Sequence, residues 1–205
     1  MKVFVCGDSF CVSDPEWGPN WVDMLSQRFD VTCLAEVSAT NLLIARQVDQ
    51  AIAQGADFVI LQCTSCTRAE KRHGDRLVPF SYHTAGTETT PFDAEDLRVL
   101  REYFARFFDM ELAIYQNRIT IEHTLQQLVS SGISFLFDQG GFEHPGFGSV
   151  GTGYFDSYRQ HRSEINLWSY PRARGFRPYY HITDPEIHKK VVDYYTREIT
   201  TCAKY

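Results

Sequence analysis

Met1-Lys-Val-Phe-Val-Cys-Gly-Asp-Ser-Phe10 opens the chain, and residues 3–6 form a short run of β-formers that stops at Gly7-Asp8-Ser9. A strand apolar at every position, rather than at alternate ones, is buried on both faces and belongs in a parallel sheet. In an open α/β sheet, ligands collect in the crevice beyond the carboxyl ends of the strands. Ser9 falls at that edge, beside an Asp and a backbone freed by Gly7. The same three residues also suit an ordinary strand-to-helix turn, so on spacing alone both readings stand.

Working outward, residues 11–20 form a loop with Asp14-Pro15 and Gly18-Pro19 as turn signals. Trp21, Met24, Leu25 and Phe29 recur at helical spacing and predict a helix over 19–29. A second strand is expected at 31–35. A helix follows at 41–54, with Leu42, Ala45, Val48, Ala51 and Ile52 on one face and Gly55 as its stop. Residues 57–62 read as a third, fully buried strand. This alternation predicts α/β architecture with parallel pairing. Further strands are expected at 133–137 and 165–168. A closing helix is expected over 185–200, with Asp184 as its cap and Pro185 at its first position. The expected fold is a single domain over 1–205: a three-layer α/β/α sandwich, flavodoxin-like, with a parallel sheet of four to five strands.

The middle breaks the rhythm, and residues 69–131 read as a loop and helical insertion. Residues 68–91 are polar, with Gly74, Pro79, Gly86 and a Thr-rich run, and are expected as a long loop of functional kind. Residues 93–131 are expected as helix, with a possible break near Asp109 and a stop at Gly132. The stripes Leu97, Leu100, Phe104, Phe107, Phe108 and Leu112, Tyr115, Ile119, Leu125, Leu128 are expected to face the core. Gly146 to Gly151 spells G-x-G-x-x-G, but no helical pattern follows, so it reads as a chance match in a loop.

Composition narrows the function classes. The chain has 205 residues, 43% hydrophobic and 22% charged, which is globular usage. A net charge of −6 argues against a nucleic-acid partner, which needs a basic face. No apolar run approaches a membrane span, and the first residues are too short for a signal peptide, so a cytoplasmic location is expected. The six cysteines then read as free thiols. Cys63-Thr-Ser-Cys66 with His73 is too little for a structural metal site. Neither metal nor cofactor is expected.

Gly7-Asp8-Ser9-Phe10 resembles the first block of the GDSL, or SGNH, hydrolase family, and the resemblance extends over roughly residues 1–70 and 176–200. It implies that Ser9 is a nucleophile. Residues 33–41 resemble the second block, with Ser38 where the family usually has the Gly whose N–H enters the oxyanion hole. Asn41 resembles an Asn at the start of the next helix in some members; read by itself, it would cap that helix. In the third block Thr64 takes the slot of an oxyanion-binding Asn, and Thr64-Ser-x-x-Arg68-x-Glu70 resembles phage-encoded members. The Thr64 hydroxyl or Arg68 would then replace the missing donor; alternatively Arg68 and Glu70 form only a surface ion pair. The last block, Asp-x-x-His before the final helix, places the base at His181, with Pro178 in the Asp slot. His188, four residues after Asp184, is the rival histidine. The α/β-hydrolase elbow G-x-S-x-G is absent.

These readings converge on a serine esterase or deacetylase acting on an ester or an O- or N-acetyl group, with carbohydrate as one substrate class. Ser9 and His181 would be catalytic, Ser9, Ser38 and Thr64 would form the oxyanion hole, and Asp8, Asn41 and Arg68 would bind substrate. The altered Asn and Asp blocks leave an alternative: a catalytically degenerate scaffold used for binding, self-association or virion assembly. A carbohydrate-binding protein using the aromatic-rich middle is a third reading.

Overall fold

The computed structural model describes residues 1–13, 18–81, 92–140, 154–168, 182 and 184–202. Four parallel strands make the central sheet: β1 (Lys2–Cys6), β2 (Asp30–Cys33), β3 (Phe58–Gln62) and, after the hairpin strands described below, β6 (Ser134–Asp138). Their order is β2-β1-β3-β6, with Val3 opposite both Val31 and Phe58, and Ile60 opposite Leu136. β3 is buried along its whole length and β1 at all but its first residue, as continuous apolar strands require when both faces are covered.

Helices α1 (Trp21–Ser26) and α5 (Pro185–Cys202) cover one face, and α2 (Asn41–Ala53) and α4 (Met110–Ser130) the other. Alternation along the strands sorts the side chains. Val3, Val5, Phe58 and Ile60 pack with Trp21, Leu25, Val191 and Tyr195. Phe4, Cys6, Val59 and Leu61 pack with Ile44, Val48, Leu125 and Leu128. Trp21 and Tyr195 are both fully buried, with ring centroids 5.1 Å apart, a pairing worth about 0.5–1.5 kcal/mol beyond the area it buries. The expected three-layer α/β/α sandwich is the observed one. Because β2 and β3 flank β1 on opposite sides, the chain reverses direction across the sheet there, which makes the carboxyl edge between β1 and β3 the switch point where ligand crevices form.

Several local expectations need correction. Residues 68–81, expected as loop, form the antiparallel hairpin β4 (Arg68–His73) and β5 (Arg76–Ser81). Its turn is only Gly74-Asp75, with Gly74 at φ +60°. The hairpin is half-buried, and its few apolar side chains, Ala69, Val78 and Phe80, pack on Phe92, Leu100 and Phe104 rather than on the main core. A continuous apolar run is therefore missing. Phe92 precedes α3 (Ala94–Arg106), which Asp93 caps, and Asp109 separates it from α4 by capping the latter. The apolar stripes drift: Leu100, Leu125 and Leu128 are buried, whereas Phe107, Leu112, Tyr115 and Ile119 are exposed. Residues 165–168 are not a strand; Ile165 and Leu167 are buried, but the parallel bridge falls at Arg162 against Phe137. The Asp138 carboxylate takes the Leu167 N–H at 2.7 Å in place of a ladder partner. The predicted G-x-G-x-x-G, Gly146 to Gly151, lies outside the described residues.

None of the six cysteines is in a disulfide, and Cys63 and Cys66 are buried. Among the described residues no helix is long and apolar enough to cross a membrane, and no group of His, Cys, Asp and Glu is arranged to hold a metal.

Candidate functional site

The loops leaving β1 and β3 meet at the switch point and are bolted together by buried polar groups. Gly7 is required there by close approach: a Cβ on it would stand 2.8 Å from the Cys11 Sγ and 3.1 Å from the Gln62 Cβ. Its N–H donates to the Gln47 Oε1 at 2.7 Å. The Asp8 side chain, 1% exposed, caps the single 3-10 turn Ser9–Cys11 by accepting the Phe10 N–H at 3.1 Å. Its other oxygen accepts the Thr64 hydroxyl at 2.7 Å and pairs with the Arg68 Nη1 at 2.9 Å. Such partners offset the cost of burying a carboxylate so deep in the protein.

Ser9 is the first residue of that turn and is partly exposed. Among the described residues its hydroxyl has no hydrogen-bond partner. Opposite, the loop after β2 is tied to the first by the Glu36 N–H donating to the Gly7 carbonyl at 3.2 Å. The Ala39 N–H returns to the Glu36 carbonyl, closing a turn whose third residue, Ser38, has φ +64°. That geometry is the one for which a type II turn ordinarily demands Gly. A Gly would take this backbone geometry freely, and Ser38 meets it under strain.

Thr64 is held from both sides of its peptide. Asn41 accepts the Thr64 N–H and donates to the Thr64 carbonyl, each at 2.9 Å. Thr40, not Asn41, caps α2; Asn41, 3% exposed, is instead a clamp on the β3 loop, steadied by donating to the Asn117 Oδ1 at 2.7 Å. Thr64 thus has both of its donors engaged within the protein, the N–H by Asn41 and the hydroxyl by Asp8. Arg68 does not pair with Glu70 at the surface. It joins Asp8 and also donates to the Ala39 carbonyl at 2.9 Å, so one guanidinium links all three loops.

A cleft of about 310 Å³ opens beside this network. Arg68 and Glu70 of β4, Thr40, the end of α3 and the first turns of α4 line it. Thr40 donates its hydroxyl to the Glu70 carboxylate, whose pKa is pushed up by burial. Ser9 does not line the cleft; Arg68 is the side chain common to both places.

The structure brings together Asp8, Asn41, Thr64 and Arg68 as one bonded cluster, with Ser9 and Ser38 on the adjoining loops. His181 and Pro178 lie outside the described residues. His188 is a buried residue of α5 whose Nε2 donates to the Ile182 carbonyl at 2.9 Å. Burial holds its pKa below the ordinary value, against the weaker pull of that carbonyl and of Asp184 and Asp23. Sequence reading did not find Gln47, Asn117 or Asp138. Asn117 sits 76 positions from the Asn41 it supports, and a helical Asn or Gln carries no local signal of such a role.

No protein-family model and no curated protein sequence matches the chain. Among solved structures, it is similar to the psychrotrophic esterase EstA from a Pseudoalteromonas species, in a form inhibited by monoethylphosphonate. That match has a TM-score of 0.57 at 11% identity and covers 97% of this chain and 98% of the other. TesA matches at a TM-score of 0.44 and 12% identity, over 78% of this chain and 74% of its own.

Proposed function

The chain has the SGNH-hydrolase fold, and within that frame we propose that it is a serine esterase, cleaving an ester or an O- or N-acetyl group through Ser9. The observation that carries this is the partly exposed Ser9 hydroxyl at the β1 switch point. It sits on a turn that Asp8 caps and buried bonds immobilise. The esterase EstA, which shares the fold at near-complete coverage, supports the reaction class.

In this reading the Ser9 Oγ attacks the substrate carbonyl while His181 takes its proton. The N–H groups of Ser9 and Ser38 receive the oxyanion. His181 then protonates the departing alcohol or amine, and water releases the acyl group from Ser9 by the same route in reverse. Thr64 acts indirectly: with its donors engaged, it holds Asp8 and through it the nucleophile turn. Asp8 and Asn41, both buried, likewise position loops, and Arg68 is the member of the cluster that also lines the cleft. The substrate is a small-molecule or glycan ester.

Ser9→Ala is expected to lower hydrolysis of p-nitrophenyl acetate by at least about 10³-fold, and a fluorophosphonate is expected to label Ser9 alone. Undiminished turnover in Ser9→Ala sinks the assignment.

A second reading has its own support. Where the family block has an oxyanion-binding Asn, Thr64 is saturated by Asn41 and Asp8, and Pro178 takes the place of the orienting Asp. A scaffold that binds without cleaving, including one that self-associates or joins a virion, is compatible with both. It predicts no fluorophosphonate label at Ser9.

A further inference from the structure

The hairpin and α3 stand outside the three layers and have their own small apolar cluster, yet they form one wall of the cleft beside the site. The other wall is the start of α4, and Thr40 also lines the cleft. The lining has an unusual mixture. Phe107 and Tyr103 remain 73% and 38% exposed on it, while Glu70 and Asn117 bring a half-buried carboxylate and an amide. Asn117 uses one amide hydrogen on the Ala113 carbonyl and its oxygen on Asn41, leaving a second hydrogen for a ligand.

Each class of occupant meets these groups differently. A fatty acyl chain would strip water from Glu70 and Asn117 and return no hydrogen bond, at about 1–3 kcal/mol for each group left unsatisfied. An anionic group would face Glu70 and Asp109 in a chain of net charge −6, while Arg68, the one cation of the lining among the described residues, is already paired with Asp8. A neutral polyhydroxylated ring meets both needs. Its hydroxyls donate to Glu70 and accept from Asn117, and its C–H face packs on an exposed aromatic ring. The volume suits a small ring at the lower end of ligand pockets, about 300–1,000 Å³.

We infer that this cleft is a glycosyl subsite, in which Glu70 and Asn117 hold the hydroxyls of a neutral sugar and Phe107 and Tyr103 form its stacking face. The inference rests on the esterase reading for its purpose, since Arg68 joins the cleft to the Asp8 that caps the nucleophile turn. The sugar then belongs to the substrate whose acyl group lies at Ser9.

Binding tests it independently of turnover. Full-length Ser9→Ala protein is titrated by calorimetry with xylotriose, cellotriose and chitotriose. At least one is expected to bind saturably. Phe107→Ala and Glu70→Gln are each expected to weaken that binding tenfold or more, and Val129→Ala, exposed elsewhere on α4, to leave it unchanged. The exposure of Phe107 and the isosteric change at Glu70 keep both variants folded. No binding of any of the three, binding indifferent to both cleft substitutions, or binding abolished by octanoate overturns the subsite. The esterase assignment is decided separately, by p-nitrophenyl acetate turnover in the wild type against Ser9→Ala.

Discussion

Ser38 adopts φ +64° without being Gly or Asn, and an L-residue in that region costs about 1–2 kcal/mol. Ser38→Gly is expected to gain a part of this, about 0.5–1 kcal/mol after the extra freedom of the unfolded chain is counted. Urea unfolding measures it, and a loss of stability would mean that the hydroxyl, not the backbone, decides the position. The Asp8–Arg68 pair sets the opposite case. Arg68→Met leaves a carboxylate 1% exposed with no cation, and breaking a buried pair in this way costs about 3–5 kcal/mol. Adding Asp8→Asn to that variant is expected to recover a large share of the loss. If the double variant is no more stable than Arg68→Met, the pair is not the source of the effect.

Among the elements, α2 does more than cover the sheet. Its first residue clamps the Thr64 peptide, its cap Thr40 reaches Glu70, and Gln47 holds Gly7. Asn41→Ala removes three hydrogen bonds, two of them to the Thr64 peptide, and leaves that buried N–H and carbonyl unpaired, for about 2–3 kcal/mol and a loosened β3 loop. Thr40→Ala loses a cap and a hydrogen bond to the partly exposed Glu70, about 1–2 kcal/mol. Denaturation of the two variants side by side checks the order; equal losses would make Asn41 an ordinary first-turn residue. The hairpin shows why the middle resisted reading. Its strands pack on a satellite cluster through few side chains, so the period-two pattern that marks a strand is diluted by exposed charge. The helical stripes failed for a related reason. Periodicity tells which residues share a face, but not whether another element arrives to cover it, and at the start of α4 that face borders the cleft instead.

At the scale of the molecule, one buried and one partly buried histidine sit where a proton is unwelcome. His188 is a buried residue of α5, and His161 stacks on Phe135 with centroids 4.1 Å apart. Burial holds both pKa values below the ordinary 6.5. The unfolded chain takes up protons near pH 6.5 while the folded one does not, so stability is full above that pH and falls as the pH drops through it. The urea midpoint is expected to decline from pH 7 to pH 5, and His188→Gln is expected to flatten the slope. An unchanged slope in that variant would place the acid sensitivity elsewhere.

The alternation of fully apolar strands with helices was enough to determine the α/β sandwich, because burial on both faces of a parallel strand leaves no polar position along it. It also placed Asp8, Ser9, Ser38 and Thr64 at one rim, since each lies in the loop that leaves a strand at the same edge of the sheet. What each of them does there was a tertiary matter. Asn41 became a clamp and Arg68 a buried partner of Asp8 because side chains distant in sequence came within hydrogen-bond reach. A hydrogen bond between loops leaves no periodic trace in the residues that make it.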